Sequence, residues 1–443
     1  MHNLIIFGSP TKITWERKLS EPTISLILCS MNKLTNKKLV RSLTLLFLMG
    51  SFWISCNEGT QEEDATIDYQ KVIQEQLINA KEGDLIEIPE GTFEFTRSIS
   101  LDGISNVTIK GAGIGKTILS FKNQIEGAEG LKITANNVTI TDLTVQDTKG
   151  DAVKVQDSEG VTLRNVEVTW TNGPDSANGA YGIYPVSCKK VLIEGCRASC
   201  ASDAGIYVGQ SVDVIIRNCV AYKNVAGIEI ENCINAEAYE NEAYENSAGI
   251  LLFDLPELPL KNGHHISLHH NIIRNNNYPN FSPLGNTVAL IPSGTGILIM
   301  STRQVDVFEN EITDHITTSM ALVSYLITQK PFKDSLYNPF SSGIYIHNNN
   351  FAQAAAMPDT TRPLGKLIAE LFGGETPEIV YDGMINPQLV NEDGSVMEEA
   401  RLCIRDNGKI RFANINAATG FQNIQTDIEN YNCQHASFAR VEL

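Results

Sequence analysis

The sequence predicts an all-β fold: a single-stranded right-handed parallel β-helix with an N-terminal capping helix and an irregular C-terminal cover. Three observations carry this expectation. Glycine-led strands recur around Gly182, Gly205, Gly227 and Gly249, at intervals of 23, 22 and 22 residues. A second ladder of short strands follows each, ending in Asn or Gly at Asn165, Gly195, Asn218, Asn241, Asn271 and Asn310. The residue ahead of that corner runs Arg164, Glu194, Arg217, Glu240, alternating in sign. A strand-bearing period near 22 residues describes stacked coils, none of which buries its inner face alone. Residues one coil apart then stack at about 4.8 Å.

The elements follow in chain order. From Met31, Lys33, Lys37, Lys38 and Arg41 form a basic start, Leu43–Ile54 an apolar run, and Ser55 a small residue before Cys56. This order resembles a bacterial lipoprotein signal with Cys56 as the lipidated residue. Trp53 departs from the usual Leu there. The run is too short to span a membrane. Residues 1–30 are expected to be upstream sequence from a mistaken start, 31–55 the signal, and 56–66 an acidic tether. The expected location is the cell envelope, anchored in the outer membrane by lipid alone.

The whole chain carries a formal charge of -18. Residues 1–55 hold seven Lys/Arg and two Asp/Glu, so a chain cut there has 27 basic and 50 acidic residues, or -23. Such a surface repels nucleic acid, and repels a polyanionic glycan unless cations bridge the two.

Residues 67–351 are expected to hold the β-helix with its cap. Ile67, Val72, Ile73, Leu77 and Ile78 fall near helical spacing, Gly83 stops the helix, and Asp84–Pro89 reads as a strand. A helix there covers the open end of the stack. The coils follow, with strands led by Ala152, Gly182, Gly205, Gly227, Gly249, Gly296 and Gly343. The last two intervals, each 47 residues, read as single coils with insertions at 254–264, 276–294 and 315–341. Residues 352–443 are expected to hold terminal coils and the cover, with an amphipathic helix at Leu364–Phe372 and strands at 401–405 and 409–415.

Alternation sends Ile183, Ile206, Ile228 and Ile250 inward and the next residue outward. One outward column reads Lys154, Tyr184, Tyr207, Glu229, Leu251, Leu298, Tyr345. A parallel one reads Gln156, Val186, Gly209, Glu231, Phe253, Met300, His347. Aromatic rings stack on the apolar face of a pyranose, and carboxylates accept its hydroxyl hydrogens or act as acid and base. Lys154, Tyr184, Tyr207, Glu229 and Glu231 are therefore the candidate substrate-binding residues. Asp203, Glu229, Glu231 and Asp254 are the candidate catalytic ones. Tyr and Glu are also ordinary strand-surface residues. The insertions are expected to wall the apolar end of this face and leave an open groove at the Tyr/Glu end.

No cofactor is evident. Asp203 and Asp254 sit at the two ends of the face, where Ca²⁺ is conceivable, and both are equally ordinary turn residues. His264, His265, His269 and His270 cluster, but His269 and His270 should face opposite ways, so no metal set is expected. Cys196 and Cys219 fit stacked core positions. Seven cysteines follow Cys56, so at least one is unpaired. A Cys403–Cys433 disulfide would hold the cover.

The stretches SDAGIYVGQS (202–211), VAGIEIEN (225–232) and LFDLP (252–256) resemble the pectin-lyase-like β-helix repeat proteins, and more narrowly an exported lipoprotein group of unassigned function. The resemblance covers nearly all of 67–443 and implies fold and compartment. Alginate epimerases of this fold carry Tyr-Gly-Phe/Ile-Asp-Pro-His. Here Tyr181–Val186 keeps Tyr181, Gly182 and Pro185 but has Tyr184 for the Asp and Val186 for the His. Proton abstraction needs titratable groups there, so C5-epimerase chemistry at this motif is not expected. Two functions remain open. One is polysaccharide interaction, by binding or by lyase or hydrolase chemistry. The other is a non-catalytic scaffold that docks a second exported protein.

Overall fold

The computed structural model describes residues 67–443. The leader and the whole tether, with Cys56, lie outside them. Among the described residues no helix is long and apolar enough to cross a membrane.

Helix α1 (Tyr69–Ile78) opens the chain, with Asp68 capping it by accepting the Lys71 N–H at 3.1 Å. Ile73 and Leu77 are buried, while Val72 and Ile78 on the helix and Ile67 ahead of it stay exposed. The helix also occupies the polar edge of the first coils. Gln70 accepts from the Thr96 N–H at 2.6 Å, and Gln74 both accepts from and donates to the Ser100 backbone. Backbone groups that a further coil would pair are satisfied by side chains instead.

The coils build two stacks of parallel strands. One sheet has eleven strands, from Arg97–Asp102 through Ala226–Glu231 to Phe412–Asn414. The other has nineteen and contributes two short strands to most coils, such as Lys189–Glu194 and Arg197–Ser199. Ile183, Ile206, Ile228, Ile250 and Ile297 stack in register, each wholly buried. Glycine precedes them because the corner is too tight for a side chain. A Cβ on Gly227 would lie 2.6 Å from the Gly249 carbonyl oxygen and 2.8 Å from Asn246 Nδ2.

Three sequence expectations are corrected. First, the interval from Gly296 to Gly343 is not one coil. Thr318–Val323 forms a further strand of the eleven-strand sheet, with Ser319 at the glycine position, and only the segment after Val323 is inserted. Ser342–His347 belongs to the nineteen-strand sheet, pairing with Arg303–Phe308. Tyr345 and His347 therefore leave the outward columns, where Ala321 and Val323 follow Leu298 and Met300.

Second, the corner ladder slips by one residue after Arg217. The left-handed turn residues are Asn165, Gly195, Asn218, Glu240, His270 and Glu309. Asn241, Asn271 and Asn310 come one position later and are buried. The Oδ1 atoms of Asn271 and Asn310, and after them those of Asn349 and Asn407, each accept from the backbone and side-chain N–H groups of the asparagine one coil earlier. Cys196 and Cys219 occupy the same position in earlier coils, and the Cys219 N–H donates to Asn241 Oδ1 at 3.0 Å.

Third, the charge alternation ends after Arg164, Glu194 and Arg217. Glu194 bridges the two arginines, 2.7 and 2.5 Å from their nitrogens. Tyr239, His269, Phe308 and His347 then continue the column as rings stacked 4.8–5.2 Å apart.

At the far end, α2 (Pro363–Phe372) lays Leu367, Leu371 and Phe372 on Val380, Ala413 and Ile415 of the last strands. Tyr431 packs on Phe412 at 4.6 Å, and Cys403 is bonded to Cys433. The five cysteines from Cys188 to Cys233 are free and buried.

Candidate functional site

The outer face of the eleven-strand sheet changes character partway along. On Arg97–Asp102 and Val153–Gln156 buried residues are interleaved with partly or fully exposed ones, as on any sheet with one wet side, and on Tyr181–Val186 only Tyr181 and Tyr184 stay partly exposed. From Ala204–Gly209 through Thr318–Val323 every strand residue of this sheet is buried. The cover comes from the insertions. Phe281, Val288 and Ile291 from one and Tyr325, Phe332 and Tyr337 from another close over Leu251, Phe253, Leu298 and Met300.

The sequence-predicted columns meet at this step. Lys154, Tyr184, Tyr207 and Glu229 are consecutive register partners, as are Gln156, Val186, Gly209 and Glu231. Lys154 and Tyr184 stay partly exposed, but Tyr207, Glu229 and Glu231 are 3%, 2% and 8% exposed. The expected open groove at Glu229 and Glu231 is thus roofed over. Pattern alone could not reveal this, because an outward residue on a strand is solvent-facing only when no loop lies above it.

Beneath the roof, Tyr181, Tyr184 and Tyr207 pack ring on ring with centroids 4.4–5.0 Å apart. Tyr181 went unnoticed as a site residue, although it stands three before Tyr184 at the start of the strand. The Tyr207 hydroxyl donates to Glu231 Oε1 at 2.7 Å. Gly209 leaves room for that ring, since a Cβ there would sit 2.3 Å from the hydroxyl. Asp203, 5% exposed in the turn before the strand, accepts from Asn286 Nδ2 at 3.0 Å. Asn286 belongs to the 276–294 insertion, so this bond ties the roof to the site. Glu229 Oε2 is buried with no hydrogen-bond partner.

Burial dominates the electrostatics. It pushes the Asp203 carboxyl up to about 8, with the Glu231 charge adding to the shift. Burial also raises Glu231 to about 7, held down only by the Tyr207 hydroxyl. Glu229 is raised well above its ordinary value by burial, then by Asp203 and Glu231. At the open edge, Lys154 Nζ lies 3.7 Å from both Glu129 and Asp151 and 5.0 Å from the Tyr184 ring. Three carboxyl groups whose hold on a proton burial strengthens, beside tyrosine rings, form a set able to donate and accept protons.

Asp254 stands apart. It is wholly buried, and its carboxylate accepts the Asn262 and Gly263 N–H groups at 3.0 Å each. It shapes its own loop. His269 and His270 do not face away from each other: their Nδ1 atoms are 2.9 Å apart, because His270 turns back in a left-handed conformation. Among the described residues, no three His, Cys, Asp or Glu side chains converge as a metal site. Further along the covered face lies an apolar cavity of about 340 Å³ between Phe253, Leu298, Met300, Ile327 and Leu364.

Comparison with known proteins places this geometry. The family model for a right handed beta helix region matches residues 129–276. The pre-neck appendage protein of Bacillus phage B103 is 24% identical over 201 residues, which is 37% of this chain and 23% of that protein. The chain thus spans about a quarter of the length of the curated relative it matches. Among solved structures, the A-module of the Azotobacter vinelandii mannuronan C-5 epimerase AlgE4 is 18% identical with a TM-score of 0.45, covering 71% of this chain and 87% of that one. The hyperthermoactive exopolygalacturonase of Thermotoga maritima is 14% identical with a TM-score of 0.42, over 64% of this chain and 84% of that one. The tailspike protein of E. coli bacteriophage HK620, solved with a pentasaccharide, is 14% identical with a TM-score of 0.43, over 77% and 67%. With the matched region inside it and parallel strands stacked in register on both sides of that region, the chain has the fold of a right-handed parallel β-helix.

Proposed function

We propose that the protein engages a polysaccharide on the open face of the eleven-strand sheet. One sugar stacks on Tyr184, and the carboxyl groups of Glu231, Asp203 and Glu229 lie just beyond. The observation that carries this reading is the Tyr181–Tyr184–Tyr207 ring cluster set against three buried carboxyls, one with an oxygen lacking any partner. Protein stability does not call for such a group, since an unpaired buried carboxyl is costly. A carboxyl that keeps its proton near neutrality is suited to protonate a glycosidic oxygen, and a neighbour able to lose its proton is suited to accept one. Lyase or hydrolase chemistry therefore goes with binding here. The basic, apolar and small-residue order ending at Cys56 supports a lipid-anchored place in the cell envelope.

The test has two readouts. A glycan array on the purified protein should return a saccharide ligand. Incubation with the best ligand should then release product, which Glu229→Gln abolishes while binding persists. A protein that binds no glycan would instead favour a scaffold docking a second exported protein.

A further inference from the structure

The sheet face is open over its first coils and shut after Tyr184. Ser100, Lys132, Lys154 and Tyr184 form one partly exposed column in register, and Thr134 and Gln156 lie on the column beside it. The next residues, Tyr207 on the first column and Val186 then Gly209 on the second, are buried, with Tyr207 at 3% exposure. A chain lying along the coils therefore runs into the edge of the roof at the carboxyl cluster. The roof is fixed from above by Asn286 on Asp203 and from the side by Val288 and Ile291 in the apolar cover. An unbroken polymer cannot continue past this edge along the face.

The ionisable groups at the step are one-sided. Glu129, Asp151, Asp203, Glu229 and Glu231 gather there. The cation among them, Lys154, already sits between Glu129 and Asp151. The second cation on the column, Lys132, is one coil further from the carboxyls. Asp203 accepts only from a neutral amide and Glu231 only from a neutral hydroxyl, and Glu229 Oε2 has no partner at all. A site without a counter-ion for its own carboxyls has none to offer an acidic sugar.

We propose that the step takes the terminus of a glycan that bears no acidic groups, its end sugar stacked on Tyr184 at the edge where Tyr207 and the roof bury the Glu231 and Glu229 carboxyls. This rests on the carbohydrate reading above and narrows it to a chain end and a charge class. Burial raises the Asp203 and Glu231 carboxyls above their ordinary range, so both already resist negative charge and a further anion beside them is opposed.

The experiment is calorimetry on the full chain with oligosaccharides of equal length: neutral glucans, glucosamine oligomers and oligouronates, together with a cyclic glucan that has no terminus. Neutral or amino oligomers should bind at least tenfold more tightly than oligouronates, and the cyclic glucan should bind at least tenfold more weakly than its linear counterpart. Glu231→Gln should narrow the gap to oligouronates. Equal or tighter uronate binding would overturn the charge class, and equal cyclic binding would overturn the chain-end mode. Either result leaves carbohydrate recognition itself standing. Silence from every saccharide would sink both this inference and the function on which it rests.

Discussion

Replacing Glu229 with Gln should make the protein more stable and its site inert. The side chain is 2% exposed, and its Oε2 has no partner. Asp203 and Glu231, the nearest charged influences on it, both oppose its ionisation. An unsatisfied buried polar atom costs about 1–3 kcal/mol. An amide of the same shape removes the charge and can donate to the carboxyl neighbours, so a gain of about 1–3 kcal/mol is expected. That is a rise of a few degrees in melting temperature for a chain of this size. The gain should depend on pH in a set direction. The folded carboxyl holds its proton well above the ordinary 4.5. Its contribution is therefore fully present below about pH 4.5 and is lost as pH rises toward the folded value. Asp203 and Glu231 add to this trend between about pH 4 and 8. Glu229→Gln should accordingly match wild type near pH 4.5 and exceed it increasingly toward pH 8, in thermal melts at fixed ionic strength. A variant less stable than wild type at pH 8, or a difference flat across pH, would show that the Glu229 carboxylate is ionised and well paired. The reasoning about the site would then fail.

Three further outcomes follow from the packing. Ile228→Asp should abolish folding, because it buries a carboxylate in the inner ladder without a partner, whereas Ile228→Val should cost only about 0.5–1.5 kcal/mol; soluble yield and circular dichroism distinguish them, and a folded Asp variant would mean the register is wrong. Asn271→Ala should lower stability by about 2–5 kcal/mol in urea unfolding, since that amide donates to Asn310 and Ala238 and accepts from Asn241; a loss below about 1 kcal/mol would rule out the ladder as a main support. Asn286→Ala should free the roof, seen as faster hydrogen exchange across 276–294 with little change in the coils, while unchanged exchange there would remove the Asp203 tie from the account.

The repeat was legible because every coil solves the same problem with the same residues. Glycine followed by isoleucine marks a tight corner and an inward side chain, and both signals lie within two positions. The reading failed where a different residue filled the same role. Ser319 replaced the glycine and hid a strand. The corner asparagines misled for another reason. Asn218 is there for its left-handed backbone, and Asn241 one position later for its buried amide, so one residue type served two roles. The Tyr239, His269 and Phe308 stack was hidden by that same slip. At the site, the columns through Tyr184, Tyr207, Glu229 and Glu231 were readable from alternation alone. Their burial was not, because it depends on where the 276–294 and post-323 insertions land. Asn286 and Tyr181 complete the cluster from a loop and from a strand start, where no period points to them.

The central claim is that the step at Tyr184 is where a glycan sits. It is tested most directly by comparing two tyrosine variants in calorimetry against the best saccharide from the array. Tyr184→Ala removes a partly exposed ring at the step, and Tyr239→Ala removes a ring from the stack on the other sheet. The account predicts that Tyr184→Ala weakens binding by about 0.5–1.5 kcal/mol beyond the lost contact area, with the melting temperature little changed, while Tyr239→Ala binds as wild type does. Full affinity in Tyr184→Ala, or an equal loss in both, would contradict it.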